Sequence, residues 1–400
     1  MRAHATRVVG LVTGGHLLSH FYLLAFPPLF PLLRADLGLT NVEIGLIMSA
    51  VSAGTVLQLP VGELVDRTGA KRVFVAGVAV TAGGVALAGL GVAAYPSLLA
   101  GALVSGVGQA AFHPADYALL GAATDGDREG RSFGVHTFGA YVGFAAAPLV
   151  VAGIAGVAGP RAALVTVGLV GLAYAGVAAL TLPPVYRDRE LAAEEAEPDP
   201  EPATDGAGRR SLREDLLRRD VLAMFAFFVV FVAGAKGIQT FTNVLTADAY
   251  GFGAGVGNTA LTAFFAAAAV GILAGGYLAD RLPPKRVALA TLTGAAAILV
   301  LVVTVVAPLG PPFAVAGFGA VGFTAGLVYP SRDRLVSRAT AAGGTGRGFG
   351  FVFSGVAVGG VVGPAALGWT VDTAGAVVAF LVVAACYAAS AGVTTLVRAA

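Results

Sequence analysis

The sequence predicts an all-α integral membrane protein with twelve transmembrane helices, arranged as two six-helix repeats. The prediction rests on the composition, a series of long apolar segments and a recurrence of motifs between the two halves of the chain. Of the 400 residues, 57% are hydrophobic and only 12% are charged, whereas typical soluble domains carry about 25% charged residues. A water-soluble fold is therefore excluded.

Twelve apolar segments have the length that a helix needs to cross a bilayer, which is roughly 20 residues. Backbone groups in lipid must be satisfied within the segment or in a closed barrel, and runs this long and continuous favour helices. We place the segments at residues 8–33, 43–63, 73–94, 96–123, 132–156, 161–182, 220–247, 256–280, 287–307, 311–336, 347–370 and 374–397.

The basic residues predict the orientation. All but three of the 25 Lys and Arg residues lie at the termini or at even-numbered loops, and the exceptions are Arg34, Arg161 and Lys236. By the positive-inside rule, both termini are expected to be cytoplasmic in a multi-pass protein of the plasma membrane. The net charge of +2 then reflects topology and gives no indication of nucleic-acid binding.

One long polar interval divides the chain. Residues 187–219 combine an acidic, proline-containing centre with a basic end, a composition typical of a disordered linker. We therefore expect an N-terminal six-helix bundle at residues 1–186, a cytoplasmic linker at 187–219 and a C-terminal six-helix bundle at 220–400.

The two halves repeat each other. "GELVDRTGAKR" at residues 62–72 recurs as "GYLADRLPPKR" at 276–286, which places Asp66 and Asp280 214 residues apart. A constant spacing of 216 relates further residues, namely Pro114, Arg131, Phe133, Gly134, Gly139, Gly143 and Pro148 to Pro330, Arg347, Phe349, Gly350, Gly355, Gly359 and Pro364. Parallel repeats of this kind are typical of transporters with a site between the halves. The prolines are expected to kink their helices, and the glycines to allow close helix contacts.

The motif at residues 62–72 resembles the loop signature G-x-L-x-D-R-x-G-x-[KR]-[KR] of the major facilitator superfamily. Within that superfamily, "LSHFYLLAFPPLFPLL", "LQLPVGELVDR" and "GVGQAAFHPADYALL" followed by "REGRSFGVHTFGAYVGFAAAPL" are similar to the fosmidomycin-resistance type of drug exporter. The resemblance to the superfamily covers the whole chain and implies its fold. It also implies that the loop aspartates hold the cytoplasmic side shut. The residues expected to take part in gating are Asp66, Arg67, Asp280, Arg281, Arg131, Arg332 and Arg347.

Polar residues inside the segments concentrate on a few helices. Spacings of three, four and seven place them on single helical faces. Because an ionisable group at the bilayer centre costs at least about 2.5 kcal/mol, these faces are expected to line a central aqueous cavity that binds the solute. The candidates are His16, His20, Gln58, Gln109, His113, Asp116, His136, Tyr141, Lys236, Gln239 and Asn243.

Several of these residues allow a second interpretation. Each histidine can instead bond a neighbouring backbone carbonyl, and Lys236 can extend toward the membrane interface. Glu43 follows Thr40 by three residues, which favours a capping box at the start of the second helix over a role in transport.

Proton coupling is predicted through His20, His113 or Asp116, because these groups can take up and release protons as a cavity alternates. The spacing of 216 also makes Arg332 the repeat equivalent of Asp116, so the two can form a cytoplasmic ion pair. The alternative is a local pair between Arg332 and Asp333.

The predicted function is secondary active transport of a small organic or drug-like solute by alternating access, as proton-coupled efflux by a monomer. No phosphate-binding loop of the G-x-x-x-x-G-K-[ST] form is present, so direct use of ATP is not expected. The alternatives are an importer or facilitator of a sugar or organic acid, and a non-transporting receptor or scaffold. No nucleophile or metal triad is evident and Cys386 is the single cysteine, so we expect neither an enzyme nor a cofactor or metal site.

Overall fold

The computed structural model describes residues 2–91, 94–124, 126–183, 217–340 and 345–397, and this part of the chain is helical without β-strands. The predicted linker at residues 187–219 lies almost entirely outside the described ranges. The division into two six-helix bundles joined by that linker therefore stays a prediction.

The described N-terminal half contains nine α-helices: α1 (Arg2–Leu23), α2 (Phe30–Leu37), α3 (Asn41–Ala53), α4 (Gln58–Thr68), α5 (Ala70–Leu90), α6 (Ala94–Gln109), α7 (Phe112–Ala123), α8 (Gly126–Ala158) and α9 (Pro160–Thr181). The described C-terminal half contains seven: α10 (Arg219–Val244), α11 (Ala254–Arg281), α12 (Pro284–Leu301), α13 (Pro311–Gly326), α14 (Val328–Thr340), α15 (Thr345–Ala374) and α16 (Ala376–Leu396). Short 3-10 or π turns connect or extend several of them, at Pro27–Leu29, Gly54–Leu57, Leu245–Ala249, Val302–Val306 and Ala307–Leu309.

Ten helical spans within the described residues are long and apolar enough to cross a membrane. Each corresponds to one predicted segment. The second predicted segment forms α3 and α4, which are bent by 53° and give an eleventh span if they are counted together. The fourth forms two shorter helices, α6 of 16 residues and α7 of 12. The protein is thus a multi-pass membrane protein, whereas twelve spans and cytoplasmic termini stay predictions.

The break between α6 and α7 has a cause in the sequence. Pro114 is the third residue of α7 and has no N–H to donate to the carbonyl of Ala110. Its repeat equivalent, Pro330, is the third residue of α14, and the helix before it ends at Gly326. Equivalent prolines therefore interrupt the two repeats at the same position.

Close helix contacts depend on glycine. In α8, a side chain at Gly139 or Gly143 would collide with α1. In α15, a side chain at Gly359 or Gly363 would collide with α10. These pairs pack within their own halves, α1 with α8 and α10 with α15. Close packing is thus confirmed for Gly139, Gly143, Gly355 and Gly359, whereas a side chain at Gly134 or Gly350 would meet nothing within 4 Å.

The two halves meet mainly through two helix pairs, α3 with α15 and α8 with α11. We call the face that carries the start of α1 the near face, and the opposite one, which carries the start of α3 and the end of α15, the far face. Ser49 of α3 donates a hydrogen bond of 2.6 Å to the carbonyl of Val361 of α15. Gly45 lies so close to Pro364 that a side chain would meet the backbone of α15. The halves are therefore closed against each other toward the far face.

The start of α3 is stabilised from both halves. Thr40 and Glu43 form the expected capping box, which confirms that interpretation of the sequence. Asp372 of α15 then accepts hydrogen bonds from the Asn41 backbone at 3.1 Å, the Asn41 side chain at 2.7 Å and the Val42 backbone at 2.9 Å. A carboxylate at a helix N-terminus is favourable because it satisfies free N–H groups and the helix dipole. Here the carboxylate belongs to the other half.

Gly45→Leu is expected to prevent closure of the far face, because the new side chain would occupy the space of the α15 backbone. Spin labels introduced at Val157 and Leu309, both at far-face helix ends and exposed, would report the separation of the halves in a Cys386→Ser background. The short-distance population should be largely lost.

Gly62→Leu is the matched control, since a side chain at Gly62 meets nothing within 4 Å. It should leave the distance distribution unchanged. An unaltered distribution in a folded Gly45→Leu protein would contradict the close contact between α3 and α15.

Candidate functional site

Four of the five histidines gather around one aspartate inside the N-terminal half. We call this group the histidine cluster. Helix α1 carries two of the histidines, one turn apart. Helix α7, which begins after the proline break, carries a histidine and the aspartate, and α8 carries the remaining histidine. The members are His16, His20, His113, Asp116 and His136.

The centre of the cluster is almost fully buried, with exposed fractions of 4% for His16, 0% for Asp116 and 2% for His136. The Nδ1 atom of His16 lies 2.9 Å from Oδ2 of Asp116. The Nε2 atom of His136 lies 3.6 Å from the same oxygen. The two imidazole rings stack with centroids 3.8 Å apart. Two helices therefore direct a ring nitrogen toward one carboxylate oxygen on a third.

His20 and His113 lie around this centre and are half-buried. Their ring centroids are 4.4 Å and 5.5 Å from that of His16. His20 also donates from Nδ1 to the backbone carbonyl of His16 at 3.2 Å. The alternative that a histidine bonds a backbone carbonyl thus holds for His20, while its other ring nitrogen stays available.

Several polar atoms of the cluster are buried and have no hydrogen-bond partner among the described residues. They are Oδ1 of Asp116, Nδ1 of His113 and both ring nitrogens of His136. Most buried polar atoms in folded proteins are paired, because an unpaired one costs about 1–3 kcal/mol. The cluster therefore keeps capacity for protons or ligands that the fold itself does not use.

The second polar group lies on α10 of the C-terminal half. Lys236 donates from Nζ to Oε1 of Gln239 at 2.9 Å, and its side chain is half-buried. Lys236 also interacts electrostatically with His20 in the other half. Lys236 and Gln239 lie on one helical face, as their spacing of three residues predicts. This pair approaches the histidine cluster across the halves.

Asn243 lies elsewhere than the sequence suggested. It is fully buried and donates to the carbonyl of Pro27 at 3.1 Å. The shared helical face with Lys236 does not bring it to the same polar group, because the 3-10 turn Pro27–Leu29 packs against this part of α10. Asn243 belongs to the contact between the halves.

The remaining cavity candidates have separate surroundings. Gln109 exchanges hydrogen bonds with Ser19, from the Ser19 hydroxyl at 2.6 Å and to the Ser19 carbonyl at 2.9 Å, and so joins α6 to α1. Tyr141 lies near the side chain of Tyr329 of the other half. Gln58 is half-buried at the start of α4.

The predicted gating residues on α4, α8 and α11 lie at exposed helix ends on the near face. Arg67 pairs with Glu63 on its own helix at 2.8 Å. Asp280 pairs with Arg334 of α14, and Arg281 lies over the ring of Tyr277. Asp66 and Arg131 are exposed, and the side chain of Arg347 lies outside the described residues.

Asp116 and Arg332 have separate partners in this conformation. Arg332 pairs with its neighbour Asp333 at 2.8 Å, as the local alternative anticipated, and Asp116 pairs with His16. Their direct pairing therefore stays a prediction for a state in which the near face is closed.

Two acidic residues at the far face were not anticipated. Asp248 accepts from Arg34 at 2.6 Å across the halves, and Asp372 caps α3. Arg34 and Asp248 are 214 residues apart, the spacing that also relates Asp66 to Asp280. The repeat spacing was the available signal for this pair, whereas the sequence carries no comparable signal for Asp372.

Long apolar helices, repeated halves that face each other and ionisable side chains buried at membrane depth are typical of membrane transporters. The sequence profile of the Major Facilitator Superfamily matches residues 12–261 and again 236–399. The chain belongs to this superfamily, whose members are transporters rather than enzymes.

Solved structures agree with this fold. A bacterial homologue of the human lysosomal transporter Spinster, in an inward-facing and occupied conformation, gives a TM-score of 0.73 at 15% identity, covering 98% of this chain and 95% of that chain. The nucleoside transporter NupG gives a TM-score of 0.77 at 14% identity, covering 99% of this chain and 100% of that chain. At such identities the likeness shows the fold alone. A search of the curated proteins gave no match.

Charge reversal at the far-face pair is expected to open that face. Arg34→Asp or Asp248→Arg would place like charges together, and a partly exposed pair contributes up to about 1 kcal/mol, so the closed population should fall by up to about fivefold. The double exchange should restore most of it. Spin labels at Val157 and Leu309 provide the measurement, and two additive losses without recovery would show that the residues act separately.

Proposed function

We propose that this protein exports a small organic or drug-like solute by alternating access, driven by a proton gradient across the plasma membrane, and that it works as a monomer. The observation that supports this best is the position of Asp116. It is fully buried among imidazoles within the membrane region, while Lys236 lies on the facing half. Ionisable groups this deep are costly, and a receptor or scaffold has no need of them.

Alternating access is supported by where the halves touch. The hydrogen bonds and ion pairs that cross between them, within the described residues, lie from the middle of the molecule to the far face. The motif residues that the superfamily resemblance assigns to gating are on the near face. With cytoplasmic termini, this conformation is one that faces inward.

The histidine cluster is the proposed proton site, and Lys236 with Gln239 the proposed solute contact. A positive ammonium beside an amide suits an anionic or strongly polar group. Fosmidomycin, a phosphonate, is the first solute to test because the resemblance points to that type of exporter. A thermal-shift screen of the purified protein would extend the search to other solutes.

Transport is expected to depend on an imposed pH gradient through His20, His113 or Asp116. In proteoliposomes, the triple variant His20→Ala, His113→Ala, Asp116→Asn should lose gradient-driven movement of the identified solute. His4→Ala is the control, because His4 is the one histidine outside the cluster and is exposed. Undiminished gradient-driven accumulation by the folded triple variant would exclude this assignment.

Lys236→Gln is expected to weaken solute binding at least about tenfold, with unchanged expression and folding, since a charge-assisted contact contributes roughly 1.5–3 kcal/mol. Isothermal titration with the identified solute measures the effect. The control is Lys285→Gln, an exchange at a lysine that instead bonds the carbonyls of Thr395 and Val397. Equal affinity in wild type and Lys236→Gln would make Lys236 structural.

An importer or facilitator of an organic acid is the second candidate, because Lys236 would suit its carboxylate equally well. Flux that runs down the solute gradient and ignores the proton gradient would favour this candidate over export. Absence of flux for every bound solute would favour the receptor or scaffold.

A further inference from the structure

Three residues of the histidine cluster have the arrangement of metal ligands. One donor atom each from His16, Asp116 and His136 lies within 4.8 Å of the other two, and all three side chains are buried. The three donors come from α1, α7 and α8, so the sequence alone gave no metal triad. The expectation of no metal site stays a prediction, and this arrangement of donors is the observation against it.

The donor separations fit a first-row divalent ion. Zn²⁺ binds imidazole nitrogen at about 2.0–2.1 Å and carboxylate oxygen at about 2.0–2.2 Å, which puts neighbouring donors of a tetrahedral site about 3.4 Å apart. The two nitrogens here lie 2.9 Å and 3.6 Å from Oδ2 of Asp116. Coordination would lengthen the first contact by about 0.5 Å and shorten the second by about 0.2 Å. The third separation, between the two nitrogens, is at most 4.8 Å.

Unused donor atoms point to a ligand rather than to packing alone. Both ring nitrogens of His136 and Oδ1 of Asp116 are buried and lack a hydrogen-bond partner in the described part of the chain. Nδ1 of His113 is in the same state, and its ring centroid is 5.5 Å from that of His16. His113 is half-buried, so it lies where an approaching ion would meet the cluster.

We propose that His16, Asp116 and His136 bind one divalent transition-metal ion, with His113 as the fourth ligand. Imidazole with one carboxylate favours Zn²⁺, Co²⁺ or Ni²⁺ over Mg²⁺ and Ca²⁺, which prefer oxygen ligands. The bound ion connects α1, α7 and α8. The site lies entirely within the N-terminal half, so it does not depend on which solute the protein carries or on the direction of transport. Asp116 and His113 also belong to the proposed proton site, so a bound ion and protons would compete for these two side chains.

The test uses the full-length protein in detergent, with any affinity tag removed and metal stripped by a chelator. Equilibrium dialysis against Zn²⁺ should give about one ion per chain. Titration with Co²⁺ should give the intense visible absorption of a four-coordinate ion, a signal that weakly held surface Co²⁺ does not produce. Neither measurement requires transport. The metal proposal can therefore be tested even if the protein does not export a solute, and the export proposal can be tested even if no metal binds.

Asp116→Asn and His136→Gln should each weaken Zn²⁺ binding at least about tenfold and abolish the Co²⁺ absorption, whereas His4→Gln should change neither. If Asp116→Asn does not fold, His136→Gln and His113→Gln test the proposal instead. Each of them replaces one imidazole ligand by an amide. Wild-type protein that binds no ion would overturn the proposal. So would binding that survives in the folded cluster variants or is lost in His4→Gln.

Discussion

The structure depends on the cost of placing a charge where water is scarce. Asp116 has no exposed surface, so its carboxylate must be compensated by neighbours, and imidazoles from α1 and α8 converge on it. That convergence fixes how three helices of the N-terminal half are rotated against each other. Pro114, two residues before Asp116, interrupts the helical hydrogen bonding, so α7 begins as a separate helix at Phe112.

The pseudo-symmetry of the repeats explains the contacts at the far face. Arg34 and Asp248 are 214 residues apart, and Pro27 and Asn243 are 216 apart, so each pair joins nearly equivalent positions of the two repeats. Equivalent positions lie at similar depth on either side of the pseudo-two-fold axis and meet where the halves are closed. Asp116 and its repeat equivalent Arg332 do not pair with each other. This is expected because the halves are apart at the near face.

Features that depend on one helix could be predicted from the sequence, and features that depend on several could not. The capping box at Thr40 and the pairing of Lys236 with Gln239 follow from spacings of three residues, and both are present. Ten apolar segments also became single spans. The meeting of His16 with His136 requires knowing how α1 and α8 are rotated, which no local spacing encodes. Composition and hydropathy likewise do not predict that Asp372 contacts the start of α3.

Because Asp372 caps α3 from the other half, closure of the far face also changes the hydration of the start of α3. When the halves separate at the far face, the N–H groups of Asn41 and Val42 and the amide of Asn41 lose their acceptor. Water can take the place of the carboxylate from the other half, so opening of the far face is expected to hydrate the start of α3. Osmolytes that are excluded from protein surfaces withdraw that water. The balance between the two conformations is thereby tied to the activity of the solvent as well as to any cargo.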